Sequence, residues 1–84
     1  MGMRHRVYGK DWPTVAVCGD WRVVEDFDGI NWEIQHLKSG KGATRFIAVA
    51  VVSRRDSLIA QWRLLTGDPA HSLRALPKVC AGPA

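Results

Sequence analysis

The chain has little cysteine, and what it has is not clustered. Cys18 and Cys80 are its two cysteines; they stand far apart, and no CxxC pair occurs. A structural zinc site needs grouped Cys or His ligands, and His5, His36 and His71 are scattered, so no metal is expected. Two unpaired thiols in a reducing compartment is the simpler reading, with a single disulfide as the alternative. No apolar run approaches the roughly 18 residues of a membrane-spanning helix. The basic start Met1-Gly2-Met3-Arg4-His5-Arg6 has no apolar stretch behind it, so it does not read as a signal peptide. A soluble, cytoplasmic protein is expected, with no membrane partner. Internal repeats and low-complexity segments are absent.

What is present fits one small domain. At 84 residues there is room for a single core, and a deep catalytic cleft is not expected. The hydrophobic fraction of 46% is ordinary for a folded chain. The net charge of +4 is unevenly spread. Residues 20–33 hold Asp20, Glu25, Asp26, Asp28 and Glu33 against Arg22, a net of −4. Residues 35–63 hold Lys38, Lys41, Arg45, Arg54, Arg55 and Arg63 against Asp56, a net of +5. A basic half of this kind can attract nucleic acid or an acidic protein surface, or can simply be solvated.

Residues 1–13 read as a basic arm in which Val7-Tyr8 could add an edge strand, and Trp12 is held extended by Pro13. Residues 14–76 read as the domain, and 77–84 as a tail. Thr14-Val15-Ala16-Val17-Cys18 and Trp21-Arg22-Val23-Val24 are β-rich and separated by Gly19-Asp20, which fits a tight hairpin turn. Asp28-Gly29 closes the next reversal. Ile30, Trp32 and Ile34 then alternate with Asn31, Glu33 and Gln35, predicting a strand with one buried face that includes Ile30. Residues 38–42 read as a loop. The following run, 45–52, is apolar on both faces, which predicts a central strand or one covered by a terminal segment or a partner. Ser53 is placed to cap a helix over 54–66, with Asp56 returning a bond, and Leu58, Ile59, Trp62 and Leu65 make its apolar stripe. Gly67 suits the residue past its end. Asp68-Pro69 predicts the start of a second short helix, with Leu73 and Leu76 inward. The expected fold is α+β: three or four mainly antiparallel strands, one amphipathic helix packed on them, and a short C-terminal helix.

No residue set forces a chemistry. Ser39-Gly40-Lys41-Gly42 is not a phosphate loop, because Gly42 stands where Ser or Thr is needed and a strand follows. Cys18 with a distant histidine is too common a pairing to mark a nucleophile. Asp26, Asp28 and Glu33 surround a turn and lack calcium-loop spacing. Trp21, Trp32 and Trp62 could be drawn as a base-stacking platform, but Trp32 and Trp62 sit on apolar stripes and read as core. No catalytic residue and no cofactor is expected. Arg54 and Arg55 at a helix start, with Arg45 and the lysines Lys38 and Lys41, are the candidate partner-binding residues, and Trp12 is a candidate exposed anchor.

Trp21-Arg22-Val23-Val24, Asp28-Gly29-Ile30, Trp32, Ile34-Gln35 and Ser53-Arg54-Arg55-Asp56-Ser57-Leu58 together resemble short uncharacterised accessory proteins of phages and prophages. The resemblance spans about half the chain, through strand, turn and cap residues. It implies a small accessory protein, and by analogy an inhibitor of host defence, anti-CRISPR proteins included. Many such inhibitors are acidic, and the +4 charge departs from that. The leading expectation is therefore a non-catalytic protein that blocks or modulates a host complex. Its partner would be an acidic surface of a host protein or ribonucleoprotein. The alternative is a small basic module gripping nucleic-acid phosphates without reading sequence. A homodimer would follow from an exposed face on residues 45–52.

Overall fold

The computed structural model describes residues 14–26, 29–40 and 43–80. The expected basic arm with Trp12, the residues Phe27, Asp28, Lys41 and Gly42, and residues 81–84 lie outside the described residues. Among the described residues four strands come first: β1 (Thr14–Cys18), β2 (Trp21–Glu25), β3 (Trp32–Gly40) and β4 (Ala43–Val52). One helix follows, α1 (Arg55–Thr66), and then a single 3-10 turn at His71–Leu73. The strands pair antiparallel in the order β1-β2-β3-β4, so every neighbour in space is a neighbour in sequence. This is the expected α+β architecture.

The turns explain the meander. Cys18 pairs with Trp21, leaving Gly19-Asp20 as a tight turn, and Gly19 sits at φ 59, where an L side chain is strained. The β2–β3 reversal is organised by Asp26. Its carboxylate accepts from the Gly29 N–H at 2.8 Å and from Asn31 Nδ2 at 3.2 Å, while its own N–H donates to the Asn31 carbonyl at 2.9 Å. Between β3 and β4 the ladder continues through Lys38↔Arg45 and Ser39↔Thr44 to Gly40↔Ala43. Lys38, Ser39 and Gly40 thus belong to the strand rather than to the expected loop. Backbone pairing carries a solvated hairpin end without needing apolar side chains, so hydrophobic periodicity does not see it.

Both helical elements pack on one face of the sheet. α1 lies over β3 and β4, and the 3-10 turn lies over β1. Ala16, Val23, Trp32 and Ile34 meet Leu58, Trp62 and Leu73 there, and Ala50, Val52, Ile59 and Leu65 pack at the margin. Each fully buried large side chain contributes about 1.5–3 kcal/mol relative to exposure. The two core tryptophans differ. Trp62 Nε1 donates to Asp68 Oδ2 at 2.9 Å, whereas the buried Trp32 Nε1 has no acceptor among the described residues. An unmet donor of that kind costs about 1–3 kcal/mol.

The ends of α1 are closed by tertiary contacts. Its stripe of Leu58, Ile59, Trp62 and Leu65 is as expected, but Arg54, not Ser53, occupies the cap position, and no side chain caps it. The reason lies in residues 78–80, expected as tail. The Lys78 carbonyl accepts the Arg55 N–H at 2.8 Å, the Cys80 N–H donates to the Ser53 carbonyl at 2.8 Å, and Arg54 bridges Val79. The Lys78 carbonyl thus takes the first helical N–H, which a serine hydroxyl would otherwise have to meet. At the other end Gly67, at φ 77, donates to the Arg63 carbonyl at 2.9 Å.

The expected short C-terminal helix is a single 3-10 turn at His71–Leu73. Ala70 adopts the left-handed region at φ 66, and its N–H donates to Asp68 Oδ2 at 2.9 Å, so Asp68-Pro69 makes a bend followed by one 3-10 turn. Two hydrogen bonds, from the Trp62 indole and then the Ala70 N–H, hold the Asp68 carboxyl below its ordinary range. Ile30 also departs from expectation. It precedes β3 and is exposed, because β3 begins only at Trp32.

Candidate functional site

β4 is ten residues long, and its run 46–52 is apolar on both faces, yet among the described residues it is an edge strand. Val51 pairs with Glu33 and so faces away from α1, with 53% of its surface exposed. Val49 is the extra residue of a bulge, between the pairings Ile34↔Ala50 and Gln35↔Ala48, and is 47% exposed. The two edges of the sheet are unlike. β1 has five residues, is interrupted by its own bulge, and lies beneath the 3-10 turn. β4 offers twice the length, with β-branched side chains in solvent. Long apolar edges recruit other strands, which is why proteins usually shorten or charge them.

The candidate cations divide along this edge. Lys38 and Arg45 are directly paired across β3 and β4, and both are exposed. Among the described residues neither makes an ion pair with a carboxylate. Like charges directly opposite in a ladder are unfavourable by a few tenths to about 1 kcal/mol, a cost that a bound anion would remove. Arg54 is exposed at the other end of β4, nine residues on. At strand spacing that is about 30 Å from Arg45. Arg45 and Arg54 therefore do not form one patch; they bracket the edge. Arg55 is engaged elsewhere. Its Nη1 donates to the Leu76 carbonyl at 2.9 Å and to the Arg74 carbonyl at 3.4 Å, and its Nε lies 3.9 Å from Asp56. It ties the helix start to the C-terminal segment. Trp12 and Lys41 lie outside the described residues.

The face opposite α1 carries a cluster that the sequence reading did not single out. Arg22 and Gln35 are cross-strand partners there, 2% and 1% exposed. Arg22 Nε donates to Gln35 Oε1 at 2.7 Å, and Gln35 Nε2 donates to Glu33 Oε1 at 2.9 Å. The Phe46 ring lies 3.6 Å from the guanidinium carbon, a cation–π contact. Burial lowers the Arg22 pKa and the Glu33 charge opposes that shift. The alternation of residues 21–24 and 31–35 places Arg22, Glu33 and Gln35 on one face. Adding the hairpin register would have found the cluster.

The weaker chemical candidates resolve into structural roles. Cys18 and Cys80 are not joined in a disulfide, and Cys80 Sγ donates to the Gly29 carbonyl at 3.3 Å. Cys18 pairs with Trp21, and Trp21 with His36, so Trp21 separates the thiol from the imidazole. Two strand spacings put them roughly 10 Å apart, beyond hydrogen-bond reach. The His36 ring instead lies against Trp21, with centroids 4.2 Å apart. Asp26 is the turn carboxylate described above. Among the described residues, no group of three His, Cys, Asp or Glu could hold a metal ion, and no helix is long and apolar enough to cross a membrane. No family model, curated protein or solved structure matches the chain.

Proposed function

We propose that this chain is a small, non-catalytic binding protein of the kind phages and mobile elements encode. It acts in the cytoplasm, inhibiting or modulating a host complex by protein–protein contact, as anti-CRISPR inhibitors do. One observation carries the reading: β4, at the edge of the described sheet, exposes Ile47, Val49 and Val51 in an uncharged run that lies between the exposed cations Arg45 and Arg54. Such an edge offers backbone donors and acceptors, apolar contact area and electrostatic steering together, which suits a protein surface. Lys38 and Arg45 at one end and Arg54 at the other are the proposed contacts to acidic residues of the target.

The test is a tagged pull-down from host lysate, run with and without nuclease. A discrete protein complex retained after nuclease treatment, and lost with Arg45→Glu plus Arg54→Glu, is the expected result. Partners that disappear with nuclease, or recovery of nucleic acid alone, would replace this reading with a phosphate-gripping module.

A further inference from the structure

We infer that the free edge of β4 takes an extended segment of a partner protein as a fifth antiparallel strand, and that this segment is uncharged and β-branched in its middle with carboxylates at both ends. The inference rests on the binding reading above and specifies its mode and the chemistry of the partner.

The backbone comes first. β3 satisfies one side of β4, and among the described residues the strand order leaves the other side without a neighbour in the sheet. Helix α1 sits on a face of the sheet, not along that edge, and β4 keeps Val49, Val51 and Ile47 substantially exposed. An incoming strand would satisfy the outward N–H and C=O groups and cover these side chains. Ala48 and Ala50, on either side of the bulge, are small enough to let it approach closely.

Charge then selects the occupant. Residues 46–53 are uncharged, while Arg45 and Lys38 mark one end and Arg54 the other. A second copy of β4, antiparallel about a two-fold axis, would bring Lys38 and Arg45 of one copy towards Arg54 of the other, at both ends. Two like-charged clusters on a chain of net charge +4 oppose that pairing. A nucleic acid carries a phosphate at every nucleotide and would leave most of them against an uncharged strand. A peptide segment with acidic ends and an apolar middle meets every feature of the edge.

The test uses the full chain and two synthetic peptides of β4 length. Each has a Thr/Val centre; one is flanked by glutamates and the other by lysines. Backbone amide shifts and hydrogen exchange are followed by NMR during titration, a readout that detects weak binding. The glutamate peptide is expected to bind at least about tenfold more tightly than the lysine peptide and to slow exchange of the outward β4 amides. Arg45→Glu with Arg54→Glu is expected to reverse the order of the two peptides. Absence of β4 protection, or equal binding of both peptides, would overturn the inference. So would concentration-dependent β4 protection without peptide, because the occupant would then be a second copy. The two proposals fail separately. If the double reversal abolishes capture of a host complex while neither peptide protects β4, strand addition is wrong and the binding function stands.

Discussion

The two faces of the sheet follow opposite rules. The face under α1 is closed by the chain itself, through Leu58, Trp62 and Leu73, and is apolar almost throughout. The other face holds a buried Arg22–Gln35–Glu33 chain in its middle and exposed valines, Val17 and Val51, towards its two edges. On the first face stability comes from area removed from water. On the second, much of it comes from satisfying polar groups that would be costly if left unpaired. Among the described residues, the outward edge of β4 has no neighbour in the sheet. The contrast separates residues that hold the fold from residues open to contact.

Substitutions can break that contrast, beginning with the largest effect. Trp62→Ala removes a fully buried ring and the Asp68 hydrogen bond, so a loss of about 3–5 kcal/mol is expected, read as the shift in urea unfolding. A loss below about 1 kcal/mol would mean that α1 does not close this face. On the other face, Arg22→Met is expected to cost about 2 kcal/mol, because Gln35 Oε1 loses its buried donor and Glu33 loses the positive charge beside it. Adding Gln35→Leu and Glu33→Gln is expected to recover part of that loss. If the triple variant were as unstable as the sum of its parts, the network would not be a unit.

A pH titration sharpens the first face. The folded Asp68 carboxyl is held below its ordinary range, by Trp62 first and Ala70 second. The unfolded chain therefore takes up this proton at a higher pH than the folded chain does. The stabilisation is complete above the ordinary carboxylate range and is lost as pH falls through the depressed folded value. The thermal midpoint is expected to fall with acidification by less in Asp68→Ala than in the native chain; parallel curves would show that Asp68 does not link stability to pH. The smallest effect belongs to the open edge. Val51→Thr is expected to change stability by no more than about 0.5 kcal/mol, since its side chain is already half in water. A core-sized loss would show that Val51 is covered in the folded protein.

Much of the fold was legible in the residues, and the reason is local. Gly19-Asp20, Gly67 and the Leu58-Ile59-Trp62-Leu65 stripe state their backbone needs within a few positions. Strand order is not local. Two-sided apolarity in residues 45–52 reads as a central strand, and only the pairing shows β4 at the edge. The helix start misled for a similar reason: Ser53 has the right chemistry, but the Lys78 carbonyl, more than twenty residues later, reaches the Arg55 N–H. The same segment takes Arg55 out of the candidate contacts through the carbonyls of Leu76 and Arg74. By contrast, the separation of Arg45 from Arg54 was available from strand geometry, since nine extended residues cannot bring two cations together. Arg22, Glu33 and Gln35 were also within reach, once alternation was joined to the hairpin register.

The chain closes one face of the sheet with α1 and the 3-10 turn, and among the described residues the β4 edge has no neighbour. Residue-resolved amide hydrogen exchange of the isolated protein, across a range of concentrations, tests this most directly. The expected result is slow exchange for amides of β2, β3 and α1, with fast exchange for the alternate β4 amides that point away from β3, independent of concentration. Uniformly slow exchange along β4, matching β3, would contradict the claim, because the edge would then already be covered.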